Sequence, residues 1–211
     1  DEMTEYGAFA PDALALCESA EGVAKVLGYC AQKNIAVTPR GAGTGLCGGA
    51  VPIHGGVVLS LERMNRILEI DENTMTATVE PGVLLSDFIR EVEARGLFYP
   101  PDPGEKTATL GGNAMTNAGG MRAVRYGVTR DYVLGMQVAL PSGELLDLGG
   151  KVVKTSSGYS LLSLLVGSEG TLGIVTKLIL KLLPMPRANV SVLAPFDDLD
   201  ACVRAVPQVL A

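Results

Sequence analysis

The residues dense enough to do chemistry in this chain are glycine, threonine and asparagine, not histidine or cysteine. Five glycines lie between Gly41 and Gly49 in the stretch TPRGAGTGLCGGAVP, residues 38 to 52. Successive glycines let backbone N–H groups turn to one side and form a concave, anion-binding nest. Arg40 at the mouth of this stretch adds positive charge. Taken by itself the stretch also reads as a tight glycine turn with no ligand. Two further stretches of the same kind change that balance: PPDPGEKTATLGGNAMTNAGG (residues 100–120) and VGSEGTLGIVT (residues 166–176). Three such loops in one chain are expected to wrap a single extended, anionic ligand.

Gly43-Thr44-Gly45-Leu46-Cys47-Gly48 satisfies the pattern GxGxxG. In a dinucleotide-binding fold that pattern opens directly into a helix whose N-terminus receives the pyrophosphate, and an acidic residue about 20 positions on binds a ribose. Here the pattern runs into GGAVPIHGG, where glycine and proline oppose a helix, and Glu62 stands too near. The match is accidental, and outside the dinucleotide fold the loop stays open between an anion nest and a ligand-free turn.

The elements that position these loops follow from periodicity. SAEGVAKVLGYCAQKN reads as a helix with Ser19 as N-cap, an apolar face at Val23, Val26, Leu27 and Cys30, and Asn34 as its stop. IAVTP and VVLSL (57–61) flank the first glycine loop as strands, so the first sixty residues form a small α/β unit of strand, helix, strand, loop, strand. ILEID and TATVEPG read as strands joined by a turn at Asp71, Glu72 and Asn73. VLLSDFIREVEARG reads as an amphipathic helix ending at Gly96. LGMQVAL and ELLDL form a hairpin about Pro141, Ser142 and Gly143. GYSLLSLLVG is a short helix, and TLGIVTKLILKLLP a long strand whose exit is marked by Pro184 and Pro186. The expected fold class is α+β with an α/β first lobe: residues 1–62 form a small mixed or parallel sheet, packed on a mainly antiparallel lobe with helices over residues 63–186. Residues 187–211, one strand and the start of a helix, cannot bury their own apolar face and read as the opening of a truncated further domain. That edge, around Val190, Val192, Leu193 and Val206, is expected to invite self-association.

Composition narrows the partners. The net charge of −6, without basic runs, argues against nucleic acid and anionic membrane surfaces. The longest apolar run, Leu161 to Val166, contains Ser163 and is too short to span a bilayer. Four cysteines without a CxxC pair, with His54 as the one histidine, supply no zinc site, so no metal is expected. The thiols read as reduced and mostly buried in a cytoplasmic protein, with peripheral attachment to a membrane electron-transfer chain left open.

PRGAGTGLCGGAVP, PPDPGEKTATLGGNAMTNAGG, YGVTRDYVLG and GSEGTLGIVTK together resemble the FAD-binding domain of the p-cresol methylhydroxylase and vanillyl-alcohol oxidase superfamily, over residues 10 to 186. The branch most resembled is the FAD-linked oxidases of D-2-hydroxy acids: glycolate oxidase flavoprotein subunits, D-lactate dehydrogenases and D-2-hydroxyglutarate dehydrogenases. The resemblance implies FAD lying between two lobes. It implies that Pro39, Arg40, Gly41, Ala42, Gly43, Thr44, Gly45, Gly48 and Gly49 hold the pyrophosphate through backbone N–H groups. Pro101, Asp102 and Pro103 would lie near the flavin. Thr109, Gly111, Gly112, Asn113, Thr116, Asn117 and Gly120 would line pyrophosphate, ribityl and flavin positions. Glu169, Gly170, Gly173 and Ile174 would lie along the adenosine half. Some relatives attach a histidine of the first loop to the flavin; Thr44 stands at that place here, which implies non-covalent FAD.

The implied function is that of an FAD-dependent 2-hydroxy-acid dehydrogenase or oxidase lacking its catalytic cap domain, with the hydroxy acid and the electron acceptor handled largely by that domain. A flavin-binding electron-transfer subunit without its own substrate site is the alternative. Oxidising a 2-hydroxy acid requires a base and a cation or metal for the carboxylate. The catalytic residues are not identified from the sequence. Arg122 and Arg125 are as readily surface residues as carboxylate ligands, and His54 reads as an ordinary loop histidine.

Overall fold

The computed structural model describes residues 7–210; residues 1–6 of the expected first lobe and residue 211 of the expected final segment lie outside the described residues. In the first part of the chain, β1 (Ala13–Leu16), β2 (Val37–Arg40) and β3 (Val57–Ser60) form a three-stranded parallel sheet in the order β1-β3-β2. Helix α1 (Ala20–Lys33) crosses from β1 to β2. The Ser19 hydroxyl accepts the Gly22 N–H at 3.1 Å, and Asn34 closes the helix with φ 53°. Glu21 in the first turn and Lys33 in the last complement the helix dipole. Of the expected apolar face, Val23, Leu27 and Cys30 are buried and Val26 only half-buried; Ala24 completes the face.

The second sheet has five antiparallel strands in the order β4-β5-β9-β7-β8. These are β4 (Ile67–Asp71), β5 (Thr76–Val79), β7 (Val133–Ala139), β8 (Leu145–Gly149) and β9 (Ile174–Lys181). A two-residue strand β6 (Leu97–Phe98) pairs with β10 (Leu183–Pro184). Helix α2 (Leu85–Glu93) buries Leu85, Phe88 and Val92 completely, the i, i+3, i+7 stripe of an amphipathic helix. Phe88 meets Tyr99 edge-on at 5.1 Å, and Tyr99 meets Tyr132 edge-on at 5.9 Å. Short helices α3 (Leu110–Met115), α4 (Ala123–Tyr126) and α5 (Leu161–Leu165), with a 3-10 turn at Thr129–Tyr132, connect the strands; α6 (Leu199–Leu210) follows them. No helix among the described residues is long and apolar enough to cross a membrane.

The antiparallel lobe has its own core, and a second, smaller cluster joins the two sheets. Val23, Ala24 and Leu27 of α1 cluster with Leu59 of β3 and with Ala139 and Ile174 of the antiparallel sheet. Helix α1 is therefore the wedge that fixes the parallel sheet against the edge of the larger sheet where β9 begins and β7 ends.

Three expectations are corrected. Residues 187–198 form no strand: with no strand beside them, their N–H and C=O groups have no ladder to enter. Val190, Val192 and Leu193 stand exposed there, and α6 is capped by Asp198, whose carboxylate accepts the Ala201 N–H at 2.7 Å. The long strand stops at Lys181, so Pro184 does not mark its exit but lies in β10, paired with Leu97. Asp71 ends β4 and is not itself in the turn; its carboxylate accepts the Asn73 and Thr74 N–H groups and sets the turn from below.

Leu27→Ala opens a hole where the helix and both sheets meet. Its expected cost is about 3 kcal/mol, read as a fall in the urea midpoint with an unchanged slope. A loss under about 1 kcal/mol would mean that α1 is not the shared wedge.

Candidate functional site

The parallel strands β2 and β3 are joined by residues 41–56, and no helix occurs in that crossover. Parallel neighbours need a long connection, usually helical; here the glycine loop takes that role and runs over the edge of the sheet. The absence of a helix after Gly48 agrees with the rejection of a dinucleotide fold. Among the described residues, no N–H group from Ala42 to Ala50 donates a hydrogen bond to a protein acceptor. Nine consecutive donors are thus left without a protein partner. The Arg40 guanidinium folds over the loop, its Nη2 3.5 Å from the Ala42 carbonyl.

The three loops meet side to side because glycines stand at the contacts. A Cβ on Gly41 would lie 2.3 Å from Thr109 Oγ1, joining the first loop to the second. A Cβ on Gly170 would lie 2.6 Å from Pro39 Cγ, joining the third loop to β2, and Gly49 faces the Glu169 carboxylate. Between them lies a cavity of about 490 Å³, within the usual size of a cofactor site. Its wall includes Pro39, Arg40, Gly41, Ala42, Gly43, Thr44, Gly45 and Gly49 from the first loop. The second loop contributes Pro103, Thr109, Gly111, Gly112, Asn113 and Thr116, and the third contributes Glu169, Gly170 and Ile174.

Six expected residues lie off this wall, and each has other work. Gly48 turns the loop and accepts the Val51 N–H. Pro101 and Asp102 are buried behind the wall; the Asp102 carboxylate pairs with Lys106 and, at 3.5 Å, with Arg122 Nε. Gly120 packs directly on the Asp102 carbonyl. Asn117 adopts φ 49° and its Oδ1 accepts the Arg130 N–H at 2.9 Å. Gly173 faces Val138 within the core.

Asn113 is only 4% exposed, lines the cavity, and its carboxamide has no hydrogen-bond partner among the described residues. The carboxamide opens on the cavity and is not sealed from solvent, so its donor and acceptor are free to meet a polar ligand there. Thr109, 2% exposed, instead caps α3 by accepting the Gly112 N–H. The floor is apolar: Leu61, Pro81, Met115 and Val175. Sequence reasoning missed these four, because buried apolar residues at strand and helix spacing read as ordinary core. It also missed Cys47, an exposed thiol on the wall. The expectation of mostly buried thiols holds for Cys17 and Cys30, where burial pushes the thiol pKa up, but not for Cys47 or the half-buried Cys202. His54 is exposed in a turn and lies off the wall, as do Arg122 and Arg125, which lie over the Phe98 and Tyr126 rings.

A cavity of this size, walled by an unbonded glycine loop, an arginine and the Asn113 carboxamide over an apolar floor, has the size and mixed lining of a cofactor site. Comparison with known proteins agrees. The family model described as FAD binding domain matches residues 11–149. The chain is 55% identical to a D-lactate dehydrogenase of Anaerostipes hadrus over 99% of this chain and 44% of that protein. It is 48% identical to the glycolate oxidase subunit GlcD of Bacillus subtilis (strain 168), over 95% of this chain and 43% of that protein. Among solved structures, an alkyldihydroxyacetonephosphate synthase superposes with a TM-score of 0.73 at 28% identity, over 83% of this chain and 34% of that one. The chain thus spans less than half the length of these relatives.

Gly45 is the position at which to test the cavity. Gly43 has φ 76°, whereas Gly45 does not lie in the left-handed region. A Cβ on Gly45 meets nothing within 4 Å. Gly45→Val should therefore leave thermal stability within about 0.5 kcal/mol of the parent and weaken FAD binding about tenfold or more, as read by flavin fluorescence titration. Unchanged affinity would remove the loop from the cofactor site.

Proposed function

The chain belongs to the family of FAD-binding domains, and from that membership we propose that it holds the cofactor of an oxidoreductase acting on a D-2-hydroxy acid. FAD is the cofactor of the family, and when bound it supplies a hydride acceptor. The observation that carries the proposal is the convergence of three glycine loops on one cavity with unbonded N–H donors and an unpartnered Asn113. In this reading the N–H groups of residues 42–47 and 49–50, with Arg40 beside them, hold the pyrophosphate. The Asn113 carboxamide satisfies itself on polar atoms of the cofactor, and the apolar floor excludes water beneath it. Gly48, Pro101, Asp102, Asn117, Gly120 and Gly173 support the wall from behind.

The 2-hydroxy acid is inferred from the names of the relatives, a D-lactate dehydrogenase and a glycolate oxidase subunit. Such a substrate needs a base for its hydroxyl proton and a cation for its carboxylate. Of the residues weighed for that pair, His54, Arg122 and Arg125 all lie off the cavity wall; the charged groups on the wall are Arg40, assigned here to the pyrophosphate, and the carboxylates Glu105 and Glu169. We therefore place the base and the carboxylate-binding group outside this chain, in a part corresponding to the remainder of the relatives.

FAD should bind more tightly than riboflavin by about a hundredfold or more, because each charge-assisted hydrogen bond to the pyrophosphate contributes about 1.5–3 kcal/mol. Equal affinities in a fluorescence titration would remove the pyrophosphate from the loop. Acid precipitation should release the flavin to the supernatant, since Thr44 offers no attachment. Colour retained in the pellet would contradict this and direct attention to the Cys47 thiol. Loaded with FAD, the chain alone should reduce its flavin with D-lactate or glycolate at least about 10²-fold more slowly than a complete enzyme, the usual contribution of a positioned base. Rapid anaerobic bleaching would place the chemistry within this chain.

A further inference from the structure

Arg130 lies outside the cavity, in the segment YGVTRDYVLG, and has no acidic partner among the described residues. Its guanidinium is spent on backbone. Nη1 donates to the Ser163 carbonyl at 2.8 Å and Nη2 to the Val166 carbonyl at 2.7 Å. Both carbonyls belong to the end of α5, where a helix leaves acceptors unfilled. From that end the chain turns directly into Gly167, Ser168, Glu169 and Gly170, the stretch that reaches the cavity. The backbone N–H of the same Arg130 donates to Asn117 Oδ1 at 2.9 Å. Asn117 follows α3, whose last carbonyls hold the third loop from the other side: Ala114 accepts the Gly167 N–H at 3.1 Å and Met115 the Glu169 N–H at 2.9 Å. A Cβ on Gly167 would lie 3.1 Å from Arg130 Nη2 and 3.3 Å from the Asn117 Cβ, so the three residues are packed as one unit.

We propose that Arg130, with Asn117, is a positioning residue for the cofactor: it fixes the third loop so that Glu169 and Gly170 stand on the cavity wall before FAD arrives. The proposal rests on the FAD reading of the cavity. Glu169 has φ 54°, an uncommon conformation for a residue with a long side chain, and needs its surroundings to hold it there. The fork of Arg130 reaches two carbonyls at once, which a lysine, with its compact ammonium, does not reproduce. If the loop were left free, FAD would have to order it on binding, and the affinity would fall by that cost.

The test is FAD titration of the full chain beside thermal unfolding without FAD. Wild type must first bind FAD; if it does not, the cavity reading fails and the proposal falls with it. Arg130→Ala should weaken FAD binding about tenfold, the loss of roughly two net hydrogen bonds, and Arg130→Lys should restore only part of it. A dissociation constant within twofold of wild type, whatever the shift in unfolding midpoint, would make Arg130 merely structural and overturn the proposal. Asn117 gives a second pair in case the arginine variants do not fold. Asn117→Asp keeps both the acceptor for the Arg130 N–H and tolerance of the left-handed backbone, and should bind FAD as wild type does. Asn117→Gly keeps the backbone conformation and loses the acceptor, and should weaken binding severalfold. Equal affinity in these two variants would also overturn the proposal.

Discussion

The site depends on one steric constraint: three loops must approach one another more closely than a side chain allows. At Gly41 a Cβ would collide with Thr109 Oγ1, and at Gly170 it would collide with the Pro39 ring. These are contacts between loops that come from different sheets and are far apart in sequence. Where they are made, the loops leave a cavity between them; where they are opened by a methyl group, the wall of that cavity must move. Glycine at these positions is therefore a packing requirement first. The same loop, held to its neighbours at these points, leaves its N–H groups from Ala42 to Ala50 without protein acceptors.

The two sheets exist to bring the loops to that meeting point. Helix α1 fixes the parallel sheet against the antiparallel one through Val23, Ala24 and Leu27, and so places the end of β2 beside the start of β9. Glycine loop one leaves β2, and the third loop enters β9, so their neighbourhood is set by core packing. The second loop is set by α2 and β5: Leu85 and Leu110 N–H groups bond to Ala108 and Val83 carbonyls, and Gly111 packs on Pro81. Asp102 adds an ionic tie, holding Lys106 and Arg122 together behind the wall, with Arg122 also over the Phe98 ring. The cofactor wall is thus a thin layer of loops backed by a core, a bonded helix end and an ion cluster.

Much of this was legible in the sequence. The helix with Ser19 and Asn34 at its ends, the hairpin at Pro141–Gly143 and the three glycine loops carry local signals, and the structure has them. The unlike parts are those decided by tertiary partners. Residues 187–198 have the pattern of a strand, but a strand is a relation between two segments, and among the described residues none pairs with them. Asn117, Gly120 and Gly173 sit within cofactor-like motifs yet face Arg130, Asp102 and Val138, because a motif fixes that a loop folds tightly and not which of its residues face inward. Leu61, Pro81, Met115 and Val175 have the spacing of core residues; only the course of the loops above them makes them a floor.

The central claim is that one cavity, walled by all three loops, receives FAD. Amide hydrogen exchange of the chain with and without saturating FAD tests it most directly. Protection should rise at the amides of residues 42–50, 111–116 and 168–170 together, with little change along α1 and the hairpin of β7 and β8. Protection confined to one loop, or centred on α1 and the hairpin, would contradict it.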